Sequence, residues 1–237
     1  MKKLILTLSI IIAVALGFMA TPLFNIQLVN VYGNNIVSDA YIRSHVAQGN
    51  IFVHSSRDTR EGLEVNPYIY RVTTRRNFTR RHVNVYVIER EQVAYIHFNN
   101  AHYLYIDREG RVLEVNTSRQ SDLPVVVGLS FSAFTLGELL EIDNTSAFNT
   151  ISHLAGLFLT YDIDTDMITI DVSQPNNTRL NYGSIIVNLG SDSSHSGMDE
   201  KLRTVLAILP SVSHFKNIGG TLNVSYLNGQ WFFALPL

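Results

Sequence analysis

The sequence predicts an α+β protein in three parts: an apolar N-terminal helix, a small β-α-α-β-β module, and a longer half rich in short strands. Three observations carry this. Met1-Lys2-Lys3 is followed by seventeen uncharged residues, Leu4 to Ala20. Segments of alternating and helical periodicity then follow in β-α-α-β-β order to about residue 92. Beyond that point strand-like runs outnumber helical ones and are separated by Asn and Gly turn signals.

Composition sets the limits. The chain has 237 residues, 46% apolar and 16% charged, which suits folded domains with real cores rather than a disordered chain. It has no cysteine, so disulfide scaffolds, cysteine nucleophiles and thiolate metal sites are excluded. A net charge of −2 argues against a nucleic-acid binder. Charge is unevenly spread. Residues 24–92 carry nine Arg against six acids, and residues 93–237 carry seven Lys or Arg against fourteen acids. The asymmetry marks two domains, with boundaries expected at 1–23, 24–92 and 93–237.

The run Leu4 to Ala20 is interrupted only by Thr7, Ser9 and Gly17. Its length sits at the lower limit for a bilayer span. A cleaved signal peptide, with Ala15-Leu16-Gly17 at the cut, is the competing reading. Both export the chain. On the anchor reading Lys2 and Lys3 keep the N-terminus cytoplasmic and place the bulk outside.

Within 24–92, Phe24 to Val31 alternates as a strand and Gly33-Asn34-Asn35 turns. Ser38 is a good N-cap and Asp39 suits the positive end of a helix. Ala40, Tyr41, Ile42, His45 and Val46 continue with helical spacing to Gly49-Asn50. A second short helix is expected over Thr59 to Val65, stopped by Asn66-Pro67. Tyr68 to Arg75 and Val83 to Glu89 are strands, with Val83, Val85 and Val87 on one face. Arg75, Arg76, Arg80 and Arg81 surround the hairpin tip between them.

Within 93–237, strands are expected at Val93 to His97, His102 to Ile106, from Val112, at Met167 to Val172 and at Ile185 to Gly190. Helices are expected over Ser146 to Leu159 and Asp199 to Leu209, the second stopped by Pro210. Leu222 to Tyr226 and Trp231 to Phe233 form a final hairpin around Asn228-Gly229.

Several motifs together resemble the FtsQ/DivIB family of bacterial cell-division proteins. Val29-Asn30-Val31-Tyr32-Gly33, then Val37-Ser38 and Ile42, resembles the opening of that family's POTRA domain. Gly49-Asn50-Ile51-Phe52 is similar to the step after its first helix. Val85-x-Val87-x-Glu89-Arg90-x-x-Val93-Ala94 is similar to its exit strand. Asp107-x-x-Gly110-x-Val112, Leu123-Pro124-Val125-Val126-Val127-Gly128, and Ile185 to Gly190 followed by Lys201-Leu202 resemble steps of its C-terminal domain. Gln92 and Phe78 stand where the family usually or often has Pro. The resemblance implies a transmembrane helix, a βααββ POTRA domain, and a mainly antiparallel β domain with flanking helices.

No motif points to catalysis. His82, His97, His102, His153, His195 and His214 are scattered, without metal-ligand spacing. Asp162-x-Asp164-x-Asp166 lacks the Gly and Glu of a calcium loop, having Met167 and Ser173 instead, and reads as a solvated turn. Gly190 to Gly197 is hydroxyl-rich and reads as a strand-to-helix loop. No enzyme activity, cofactor, metal or small-molecule substrate is expected.

The resemblance implies a division scaffold at the septum that recruits FtsB/DivIC-like and FtsL-like single-span proteins. In such proteins the partner segment adds a strand to the last strands of the β domain. The matching strip here is Leu222, Asn223, Val224, Ser225, Tyr226, Gly229, Trp231 and Phe232, with Tyr226 and Trp231 as aromatic anchors or as packing residues. The four arginines are candidates for contact with anionic lipid or an acidic partner, or simply an exposed tip. A POTRA-bearing polypeptide-transport or assembly chaperone and an exported ligand-binding protein are the competing functions.

Overall fold

The structure is a computed structural model that describes residues 2–46, 49–99, 102–119, 123–174, 177–190, 195–212, 215, 217–224 and 232–235. Helix α1 (Lys2–Met19) buries none of its side chains, and its mean hydropathy of 2.0 suits a bilayer span. The fold is α+β, and the chain divides into two compact units, Met1–Arg90, which includes α1, and Glu91–Leu237.

The first unit contains β1 (Leu28–Tyr32), α2 (Asp39–Ser44), α3 (Ser56–Leu63), β2 (Ile69–Asn77) and β3 (His82–Glu89). The sheet order is β1-β3-β2, with β1 parallel and β2 antiparallel to β3. The β-α-α-β-β order is the expected one. Val83, Val85 and Val87 are buried on one face of β3 and cluster with Ile42 of α2 and Leu63 of α3. Period-2 alternation thus meets the apolar positions of two short helices.

Ser38 caps α2, its Oγ accepting the Tyr41 N–H at 3.3 Å. Helix α3 starts earlier than its apolar pattern indicates. Ser55 Oγ accepts the Asp58 N–H at 3.1 Å, and Arg57 pairs with Glu61 one turn on. Caps and polar pairs define this first turn, so apolar periodicity does not detect it.

The second unit carries a nine-stranded sheet among its described residues. Its strands are β4 (Ala94–Phe98), β5 (His102–Ile106), β6 (Val112–Asn116), β7 (Val125–Val127), β8 (Ile168–Asp171), β9 (Thr178–Tyr182), β10 (Ile185–Gly190), β11 (Gly220–Asn223) and β12 (Phe232–Ala234). The order is β12-β11-β10-β9-β8-β7-β4-β5-β6. The β10–β11, β7–β8 and β4–β7 pairs are parallel and the others antiparallel. Helices α4 (Ser146–Thr160) and α5 (His195–Val212) share one core with the sheet, through Phe148, Ile151, Leu154, Leu202 and Val205 against Ile96, Ile170 and Leu222.

Two details depart from the expected elements. Strand β9 lies outside the expected strands; its Thr178, Leu180 and Tyr182 alternate with Arg179 and Asn181 over only five residues. Helix α5 continues through Pro210 to Val212 instead of stopping. Pro210 lies in the last turn, where it removes a single backbone donor near an end that frays in any case.

The Asp107-x-x-Gly110 turn explains itself physically. Asp107 is buried, and its Oδ1 accepts the N–H groups of Glu109 and Arg111, each at 2.9 Å. Gly110 has φ +86°, and a Cβ there would overlap the Phe148 ring of α4. The turn therefore needs both a carboxylate and the absence of a side chain.

Candidate functional site

The predicted strip at the end of the chain is partly described. Ser225, Tyr226, Gly229 and Trp231 lie outside the described residues. Leu222 and Val224 are buried members of the core, and Asn223 is half-buried. Strand β11 is flanked on both sides, by β10 in parallel register (Leu222↔Val187) and by β12 in antiparallel register (Leu222↔Phe233). Its backbone is therefore already engaged.

The terminal position belongs to β12. Among the described residues no strand pairs with its outer side. Its side chains alternate. Phe233 turns toward the core, with its ring 5.4 Å from that of Phe215. Phe232, 52% exposed, and Ala234 face outward. Gly220 fixes this arrangement, because a Cβ there would overlap the Phe233 ring. Such an edge presents backbone N–H and C=O groups to any extended segment of suitable shape.

The opposite end of the sheet differs. The start of β6 is covered by residues 137–139, a stretch with no recognisable sequence motif. Val112 donates to the Glu138 carbonyl at 3.0 Å, and Gly137 donates to the Val112 carbonyl at 2.8 Å. Arg111 Nη1 donates to the Gly137 carbonyl, and Arg111 bridges to Leu139. Phe131 and Phe134 pin the same segment against Phe98, at ring separations of 5.5 and 5.2 Å. A covering strap at an edge is a common protection against unwanted pairing. No such strap lies on β12 among the described residues.

The arginines at the first unit's hairpin tip occupy distinct positions. Arg76 Nη1 donates to the carbonyls of Ile51 and His54, and its guanidinium lies 5.3 Å from the Phe78 ring centroid. Arg81 Nη1 donates to the Leu23 carbonyl. Arg75 lies on the other face of the sheet, over Tyr86 at 5.6 Å. Arg80 is exposed. Geometry thus brings Arg81 to the segment that follows α1, and Arg76 to the 51–54 loop that bonds to that segment through Ile51 and Phe24, which sequence spacing does not reveal.

Lys201 and the acidic run at 162–166 serve the fold. Lys201 is 4% exposed and its Nζ donates to the Leu189 carbonyl at 2.8 Å, tying α5 to the end of β10. Asp164 Oδ1 accepts the Asp166 N–H, and Asp166 pairs with Arg119 at 3.3 Å, so this acidic run forms a turn. No group of three metal-ligating residues forms among the described residues. Of the stretch Gly190 to Gly197, read from the sequence as a loop, Gly190 ends β10, residues 191–194 lie outside the described residues, and His195 to Gly197 already belong to α5, which starts four residues before the expected Asp199. A cavity of about 100 Å³ between α4 and the start of β4 is lined by Val93, Pro124, Ala155, Phe158 and Ile163. That is well below the several hundred Å³ usual for ligand pockets.

Comparison with known proteins decides the family. A family model described as "Cell division protein FtsQ/DivIB, C-terminal" matches residues 94–227, more than half of the chain. The chain belongs to the FtsQ/DivIB family. It is 24% identical to "Cell division protein DivIB" of Clostridium botulinum strain Hall over 237 residues, covering 98% of this chain and 91% of that protein. It is 28% identical to the protein of the same name from Clostridium tetani, over 86% of this chain and 77% of that protein. The Clostridium acetobutylicum protein of that name is 24% identical over 78% and 75%. The FtsQ/DivIB match runs from β4 through β11, so edge strand β12 lies just beyond it.

Proposed function

We propose that the chain is a non-enzymatic, single-span scaffold of the division machinery that captures an extended segment of another division protein along β12. The reading rests on one observation above the rest. Among the described residues the nine-stranded sheet ends on a strand whose outer side no other strand pairs, while the start of its other edge is strapped. Partner backbone groups would supply affinity by completing the ladder, and outward side chains such as Phe232 would supply selectivity. Family membership supplies the context. The partners would be FtsB/DivIC-like and FtsL-like small single-span proteins assembling at the septum.

On this reading α1 holds the chain in the membrane with its N-terminus cytoplasmic, the first unit is a POTRA domain, and the second is the docking domain. Its α1 has the length and hydropathy for the span.

The test is Phe232→Lys in the full-length protein. A lysine on a sheet edge disfavours pairing with a further strand. Because Phe232 is half exposed, the fold should melt normally. The expected result is loss of co-purification with the FtsB/DivIC-like partner and loss of its midcell ring. Undiminished co-purification and a normal ring would contradict the proposal.

A further inference from the structure

We infer that the β2–β3 tip of the first unit is a membrane-docking face that rests on anionic lipid headgroups beside the exit of α1. The inference rests on α1 being a bilayer span.

Four aromatic rings connect helix and tip. Phe18, near the end of α1, lies 5.5 Å from Phe24; Phe24 lies 5.2 Å from Phe52; and Phe52 stacks on Phe78 at 5.3 Å. Hydrogen bonds fix the same joint. Asn50 Nδ2 donates to the Met19 carbonyl at 2.6 Å and to the Thr21 carbonyl at 3.2 Å. Ile51 donates to the Phe24 carbonyl at 2.9 Å, and Ile26 donates to the Gly49 carbonyl at 2.7 Å. The Gly49-Asn50-Ile51-Phe52 step thereby fastens the end of α1 to the unit's own backbone. If α1 spans the bilayer, the tip is held at its surface.

The exposed residues at this level suit that depth. Leu23, Phe52, Val53 and Phe78 are exposed apolar side chains. Arg75, Arg76, Arg80 and Arg81 accompany them, and Thr73 to His82 contains no acid. None of the four arginines is ion-paired among the described residues. Arg76 and Arg81 bond to backbone carbonyls, which leaves their positive charge uncancelled. Aromatic rings with cationic groups are the composition of a headgroup interface. Each cation held there strengthens attachment to an anionic surface roughly fivefold.

The absence of cysteine gives a clean test. Thr79→Cys and Asn35→Cys, each spin-labelled in the full-length protein, are reconstituted into phosphatidylcholine vesicles with phosphatidylglycerol. Asn35 hydrogen-bonds Glu89 at the far end of β3. At strand rise it lies about 25 Å from the tip. Collision with oxygen and with a water-soluble nickel chelate reports depth. The Thr79 label is expected at headgroup depth and the Asn35 label in water. Phe78→Asp with Arg80→Glu should move the Thr79 label into water while α1 stays embedded. A Thr79 label in water on the unaltered tip, with the chain still retained through an alkaline wash, overturns the docking and leaves the arginines to an acidic protein. Loss of the chain from the vesicles in that wash overturns the span and the docking together.

Discussion

Glu89 Oε1 accepts the N–H of Val37 at 2.8 Å, and Oε2 of the same carboxylate takes those of Asn35 and Ile36 at 2.8 and 2.7 Å. One side chain at the end of β3 therefore organises the loop between β1 and α2, fifty residues earlier in the chain.

Glu89→Ala should destabilise the first unit by about 1–3 kcal/mol, since three donors lose a charged acceptor but two of their residues are open to water. Chemical denaturation measures the loss. Faster amide exchange at residues 35–37, with the second unit's amides unchanged, would locate it. Glu89→Gln, which keeps an acceptor oxygen, should lie between the two.

Gly110→Ala should cost about 2–4 kcal/mol, because it combines positive φ with overlap on the Phe148 ring. Phe148→Leu should relieve part of that cost in the double mutant. A double-mutant cycle by thermal melting gives the coupling. Strict additivity would show that the strain is in the backbone alone.

Tyr95 is fully buried with no hydrogen-bond partner for its hydroxyl among the described residues. Burial raises its phenol pKa above the ordinary tyrosine value, with Arg119 opposing. The unfolded chain therefore ionises this group first. The stability linked to it is complete below about pH 10 and falls as pH rises toward the folded-state value. Tyr95→Phe should leave stability at neutral pH unchanged or slightly raised, and should flatten the alkaline limb of a denaturation series. An unaltered alkaline limb would contradict this assignment.

The parts of the fold legible in the sequence are those set by near neighbours along the chain. Ser38 reads as a cap because its bond reaches only three residues on. Val83, Val85 and Val87 read as a strand because alternation is local. Strand β9 is not legible because it is only five residues long and three of them, Thr178, Arg179 and Asn181, are polar or charged. The β12 edge is a different matter. The sequence predicts a final hairpin, but which strand ends the sheet depends on where β6, β10 and β11 settle, and that is non-local. The same holds for the tip, where Arg81 meets Leu23 across fifty-eight positions.

The most direct measurement uses Ala234→Cys, again unique in the chain, against a cysteine scan of the FtsB/DivIC-like partner's extracytoplasmic segment in cells. An added strand places alternate partner residues toward the label, so disulfide formation should peak at every second position. Flat, low crosslinking from Ala234, with a periodic pattern arising instead from β6 at Val115, would contradict capture along β12.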